Sequence, residues 1–237
     1  MLDRIKSTKS ASGEESETEG GPASLTSRIY ARLRADIISG VLEPGAKLKI
    51  EDLRQRYDSG ASPIREALSL LTSHQLVERL DQRGFRVSSI SLEEFDELLK
   101  TRCWLEERAL RESIAHGDKR WEEELVIAAY RLSRAPRNSG GNPVATNDEW
   151  EKLHKDFHLT LISRCGSRFL LNSCDELYDQ NVRYRKAASS VAYPERDVRA
   201  EHEGIADAVL ARDADRAVQR LVAHYTNTGS FLRKHFE

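Results

Sequence analysis

Long apolar runs are missing from this sequence of 237 residues. None approaches the roughly 18 residues that a membrane span requires, which predicts a protein outside the membrane. Cysteine is scarce: Cys103, Cys165 and Cys174 are an odd number with no CxxC pair. The last two, nine residues apart, fall on opposite sides of any helix holding both. That excludes a disulfide framework and predicts reduced thiols. The N-terminus lacks the apolar stretch of a secretory signal, so the protein is expected in the cytoplasm. There is no P-loop, no dinucleotide glycine fingerprint and no Gly-x-Ser-x-Gly elbow, which removes the commonest nucleotide-dependent and hydrolytic machinery.

Charge of either sign is nearly balanced overall, at −2, but unevenly spread. Residues 25–90 hold 11 Lys and Arg against 8 Asp and Glu, whereas residues 91–237 hold 23 against 26. A mildly basic segment marks where a phosphate-binding surface would lie. Residues 1–24, rich in Ser, Glu and Gly, cannot bury enough surface to offset the entropy of ordering and are expected to form a disordered tail.

From Leu25 the pattern turns helical, with Leu25, Ile29, Leu33, Ile37 and Ile38 on one face and a stop expected at Gly40. A Pro-Gly turn precedes "EDLRQRY", a short helix, and a break at Asp58–Gly60 leads to "SPIREALSLL". There Ser62 is the expected N-cap and Pro63 the first helical residue, with Ile64, Ala67, Leu68 and Leu71 facing the core. "LVERL" and "FRVSSI" then read as a hairpin turning at Gly84. Helix, helix, helix and hairpin over residues 25–90 is the plan of a winged helix-turn-helix, whose second paired helix lies in the DNA major groove. Beyond Ser91, an N-cap followed by Glu93 and Glu94, the pattern predicts helices at 91–115, 118–134, 146–164, 167–189, 197–211 and 213–233, interrupted at 134–147 and 189–195. The fold class is thus mainly α: a winged helix-turn-helix with a small β-hairpin wing, then an all-α six-helix bundle over 91–237.

The segments "YARLRADIISGVLEPGAKL", "EDLRQRY" and "SPIREALSLLTSHQLVERLDQRGFRVSSIS" resemble the winged helix-turn-helix of GntR-family transcription regulators. "RCWLE", "LHKDFHLTL" and "EHEGIADAVLARDADRAVQRLVAH" are similar to the FCD effector-binding domain of the FadR-type branch. The resemblance covers about 24–233 and implies a homodimer on a two-fold symmetric double-stranded DNA operator, most often a repressor released by a small carboxylic acid. It implies that Arg65 reaches the DNA, where bidentate bonding to guanine is the commonest specific contact. The alternative is a surface arginine paired with Glu66 or Glu51. Ser62, Arg32, Arg34, Arg54 and Arg56 are further candidate contacts, and Arg83 and Gly84 sit at the wing tip, facing the minor groove. Relatives often carry a second arginine where this chain has Ala61, so base readout must differ in detail.

His154 and His158, at i and i+4, lie about 40° apart on one helical face. The resemblance places ligands at His202 and His224 as well, and imidazole suits divalent transition metals, zinc above all, with nickel or manganese as alternatives. Relatives usually have aspartate at the position of His154; an all-histidine set removes that negative charge. Partly buried histidines satisfied by neighbours are the plainer reading. His74, His116 and His235 have no such company. Lys155 stands where a metalloprotease H-E-x-x-H helix carries its general base, so a metal here fits a binding pocket and not an enzyme. Arg102, in "RCWLE", matches a family position that faces the effector, and Arg183, Tyr184 and Arg185 are weaker candidates. "HKDFHLTLISRCGS" and "LYDQNVRYR" resemble a subgroup linked to catabolism of dicarboxylates such as glutarate. The competing function is a helical metal- or ligand-binding protein with a vestigial DNA-binding domain.

Overall fold

The structure, a computed structural model, describes residues 24–81, 83–138, 147–187 and 196–236. The expected tail over 1–24, save Ser24, and most of the expected interruptions at 134–147 and 189–195 lie outside the described residues.

The first unit is built from α1 (Leu25–Ile38), β1 (Lys47–Leu48), α2 (Ile50–Tyr57), α3 (Ala61–Ser73), β2 (Val77–Leu80) and β3 (Gly84–Val87). Its core comes from the apolar stripes that the spacing predicts: Ile29, Leu33 and Ile37 of α1 meet Ile64, Ala67, Leu68 and Leu71 of α3. Gly40, just past α1, has φ +82°, a left-handed conformation that stops the helix at little steric cost. The wing is a three-stranded antiparallel sheet in the order β1-β3-β2, with Lys47 opposite Arg86 and Val77 opposite Val87. The hairpin was expected; β1 was not, because two residues after a Pro-Gly turn carry no period. Leu48 is nonetheless buried against the same core.

The start of α3 corrects the expected cap. Gly60 is the N-cap and Ala61 the first helical residue, so Ser62 and Pro63 sit inside the first turn. Ser62 Oγ donates to Glu66 Oε1 at 3.1 Å and caps nothing. Proline is tolerated throughout the first turn, where backbone N–H groups have no intrahelical partner, so Pro63 does not mark the first helical position.

Helices α4 (Leu92–His116), α5 (Lys119–Arg134), α6 (Asp148–Ile162), α7 (Arg168–Ala187), α8 (Val198–Leu210) and α9 (Ala214–Phe236) form the second unit. Side-chain oxygens cap four of them: Ser91, Asp118, Asn147 and Asp197 each accept a backbone N–H of the first turn. Phe95, Leu110, Trp121, Leu125, Phe157, Leu161, Ile205 and Leu221 fill the bundle. Among the described residues no helix is long and apolar enough to cross a membrane, and the three cysteines are free thiols.

Helix α7 joins the two units. Arg34 of α1 pairs with Asp179 of α7, and Lys155 of α6 reaches Asp175 at 2.6 Å and Asp179 at 2.8 Å. Gln180 donates to the backbone oxygen of His74, and Arg183 to that of Ser88.

Candidate functional site

Four histidines converge in the bundle. His154 and His158 come from α6, His202 from α8 and His224 from α9; all are buried, and one nitrogen from each lies within 4.8 Å of the others. His154 Nε2 is 3.1 Å from both His202 Nε2 and His158 Nε2. Zinc–nitrogen bonds of roughly 2.0–2.1 Å put two ligands of one ion about 2.9–3.4 Å apart at right to tetrahedral angles, so the spacing fits.

The surrounding hydrogen bonds fix which nitrogens present lone pairs. Tyr225 donates its hydroxyl proton to Glu106, and its oxygen accepts from Arg102 Nη2 at 3.0 Å. His158 Nδ1, 2.9 Å from that oxygen, must therefore be a donor, and Nε2 faces the cluster as an acceptor. His224 Nδ1 donates to Glu201 Oε2 at 2.7 Å, which likewise turns its Nε2 inward. Burial acts to raise the Glu201 carboxyl, but hydrogen bonds from His224 and Arg196 outweigh it and hold the carboxyl down at about 2, so it is ionised. Such outer partners are what orients imidazole ligands on a metal.

His154 differs from His158 and His224. Its Nδ1 lies 2.6 Å from the Tyr178 hydroxyl and 3.2 Å from Arg185 Nη1, a group that can only donate. Nδ1 is thus the acceptor in this network, and Nε2 carries the proton toward His158 and His202. To bind a metal through Nε2, His154 must move that proton to Nδ1. The Trp150 ring stacks on His154 with centroids 4.5 Å apart and planes at 14°.

Burial first, then the neighbouring imidazoles and guanidinium groups, lowers His154 and His158 well below the ordinary histidine range. His202 is lowered in the same direction, again chiefly by burial. Burial also brings His224 down to about 4, although Glu201 pulls it up. At neutral pH the four rings are uncharged, the form that ligates metal. The residue types and spacing of all four, and the tautomers and oriented partners of His158 and His224, fit a divalent transition ion.

The expected effector residues divide. Arg102 is buried beneath the cluster, 2.5 Å from Glu106 Oε1, with its guanidinium 4.1 Å from the Tyr225 ring centroid. It donates from Nε to Glu106 and from Nη2 to Tyr225 and orders His158 through them. Arg185 reaches the cluster at His154 and pairs with Glu151 at 2.8 Å. Arg183 turns instead to Ser88 and Gln180, and Tyr184 packs on Phe95, so neither joins the cluster: along α7 they fall on its other sides. Tyr178, Tyr225, Glu106, Glu201, Arg196 and Trp150 were not singled out in the sequence. Glu201 and Tyr225 are chain neighbours of His202 and His224, and Trp150 precedes His154 by four residues, which is the signal that could have found them.

On the first unit, α3 presents Ser62, Arg65, Ser69 and Ser73 along its exposed face. The carboxylates that could have neutralised Arg65 are engaged elsewhere: Glu66 accepts from Thr26 and Ser62, and Glu51 pairs with Arg54. Arg54, Arg32 and Arg56 are exposed nearby; Arg32 lies 5.0 Å over the Tyr57 ring, and Arg56 is 3.3 Å from Asp36. Arg83 and Gly84 are exposed at the wing turn, where Gly84 has φ +93°. Arg34 is separated from this set, because its ion pair with Asp179 directs it to α7.

Comparison with known proteins gives two family matches, to bacterial regulatory proteins of the gntR family over residues 25–87 and to the FCD domain over residues 97–227. The uncharacterized HTH-type transcriptional regulator BphR of Paraburkholderia xenovorans (strain LB400) is 38% identical over 99% of this chain and 98% of its own. The HTH-type transcriptional repressor GlaR of Escherichia coli (strain K12) is 34% identical over 82% of this chain and 90% of its own. Among solved structures, E. coli McbR/YncC shares the fold with a TM-score of 0.76 at 20% identity, covering 91% of this chain and 100% of that one.

Proposed function

The chain belongs to the gntR family of bacterial regulatory proteins, with an FCD domain behind its helix-turn-helix, and from that premise we propose a cytoplasmic repressor that binds a two-fold symmetric operator as a homodimer and is released by a small carboxylate. It is a transcription regulator, as its relatives are, and not an enzyme. In this reading Arg65 enters the major groove with Ser62 beside it, while Arg32, Arg54 and Arg56 meet phosphates and Arg83 and Gly84 reach the minor groove. Two recognition helices in one dimer would sit about 34 Å apart, one turn of the duplex. Arg34 is withdrawn from the contact set and assigned to coupling between the domains.

His154, His158, His202 and His224 would hold a divalent ion, zinc first, with nickel or manganese as alternatives. When bound, the ion supplies a Lewis-acidic position for a carboxylate oxygen. The chain's own residues keep that position defined: Glu106, through Tyr225, and Glu201 hold His158 and His224 in the ligating tautomer, and Trp150 braces His154.

The observation that carries a regulatory reading is the arrangement of two successive residues on α7. Tyr178 bonds His154, and Asp179 pairs with Arg34 on the DNA-binding unit. A ligand that shifts His154 or Tyr178 thereby acts on an element bonded to both units, and it changes operator affinity by its difference in affinity for the two arrangements. The test is a titration of the protein against its own upstream DNA and a scrambled duplex at 50 and 200 mM salt. The reading requires specific, salt-dependent binding. No binding at low salt would leave a helical metal- or ligand-binding protein with a vestigial DNA-binding domain.

A further inference from the structure

Helix α5 buries Trp121, Leu125 and Leu132 against the bundle and turns a second apolar group outward. Val126 is 50% exposed, Ile127 49% and Tyr130 66%. Val126 and Ile127 line a groove of about 500 Å³ together with Leu210 at the end of α8, and Tyr130 stands one turn further along α5. Apolar residues exposed singly are ordinary, but a group this close together marks a contact surface.

Spacing and charge identify what it contacts. Glu123, Ile127, Tyr130 and Arg134 follow one another at intervals of four, three and four residues, the spacing of a helix–helix seam. The seam is acidic before its apolar centre and basic after it. Glu123 meets Lys119 only at 3.9 Å, and neither Arg131 nor Arg134 has a carboxylate partner among the described residues. Arg120, on the same face, is bonded to Glu124 at 3.0 Å. Such a helix is complementary to a reversed copy of itself. A two-fold axis passing between Ala128 and Ala129 opposes Ile127 to Tyr130 of the second copy and Glu123 to Arg134, and the symmetry supplies each contact twice. A cavity of about 150 Å³ holds benzene, so the groove beside Ile127 admits the incoming phenol.

The size of the face decides what it can hold together. With 16 residues, α5 is about 24 Å long and roughly 10 Å wide, so one pairing covers roughly 250 Å² per copy, against about 800 Å² per partner in a stable interface. That is too little for the dimer that sets half-site spacing and suits a reversible contact. A dimer carries the face twice, and two such contacts close a tetramer.

We propose that the α5 face joins two dimers into a tetramer, each α5 pairing antiparallel with α5 of a second copy. The proposal rests on the reading of the chain as a homodimer and goes beyond it. A tetramer has two operator-binding surfaces, so it holds two DNA sites at once.

Sedimentation velocity of the full-length protein from nanomolar to high micromolar concentration, with single-operator affinity measured alongside, tests it. Wild type should pass from dimer to tetramer. Glu123→Arg and Arg134→Glu each set like charges together and should weaken the tetramer about tenfold or more, while the two combined should restore it. Ile127→Glu should abolish it. The dimer, its operator affinity and its melting temperature should be unchanged in all four variants. If wild type stays a dimer throughout, or if the variants assemble as wild type does, the proposal is overturned and the homodimer reading stands. If Ile127→Glu yields monomers, α5 holds the dimer itself and the separate tetramer contact is overturned. A wild type that is monomeric with and without operator would remove the homodimer reading and this proposal with it.

Discussion

Asp179 of α7 forms an ion pair with Arg34 of α1, and its oxygens are shared with Lys155, the residue that follows His154 in α6. One carboxylate with 7% of its side chain exposed thus ties the DNA-binding unit to α6, which carries His154 and His158, and to α7, whose Tyr178 bonds His154.

Asp179→Asn should uncouple the two units. Allosteric couplings of this kind are typically 5–150-fold in affinity, and the variant should bring the effect of metal or effector on operator binding toward unity, as read by fluorescence anisotropy. Metal content should stay at the wild-type level. Leaving Arg34 and Lys155 short of a partner should cost roughly 1–3 kcal/mol, a fall in melting temperature of several degrees for a chain of this size.

Glu201→Gln should weaken metal binding about 10–100-fold, the usual effect of losing a partner that orients a ligand. His224 would keep its nitrogen but lose the carboxylate that turns Nε2 inward. Competition against a chromophoric chelator measures this. His158→Ala, which deletes a ligand, should lower the stoichiometry itself.

Protein stripped of metal should lose stability in mild acid. Each cluster histidine has its pKa lowered by folding, so between the unfolded value near 6.5 and the folded value the unfolded chain binds more protons. Stability is therefore full above pH 6.5 and falls as pH drops toward about 4, the His224 value. That residue alone contributes about 3 kcal/mol across the window. Melting temperatures from pH 7.5 to 4.5 check this, and a flat profile would mean the rings are not held neutral. Saturating zinc should shift the loss to lower pH, because ligation competes with protonation.

Much of this was legible from the sequence. Helices α4 to α9 were readable from their 3.6-residue apolar stripes, helped at the start of α4 by the capping residue Ser91. The pairing of His154 with His158 follows from helical geometry, but the meeting of α6, α8 and α9 is a tertiary fact that only the resemblance supplied. β1 was invisible, since two residues cannot show an alternation. Ser62 misled because a serine before a proline reads as a cap, while Gly60, with no side chain to bond, does that work in the fold. Arg34 and Arg65 look alike in the sequence; their roles separate only when α7 places Asp179 beside one of them.

The most direct test of the account is the operator affinity and sequence preference of Arg65→Ala, with circular dichroism and melting temperature confirming the fold. Arg65 is exposed on α3, and neither Glu66 nor Glu51 is its partner. Arg65→Ala should lose about 1–3 kcal/mol of discrimination, roughly 5–150-fold, between the specific site and a site mutated at the contacted base pair. Unchanged affinity and unchanged preference would remove Arg65 from recognition and contradict the placement of α3 in the major groove.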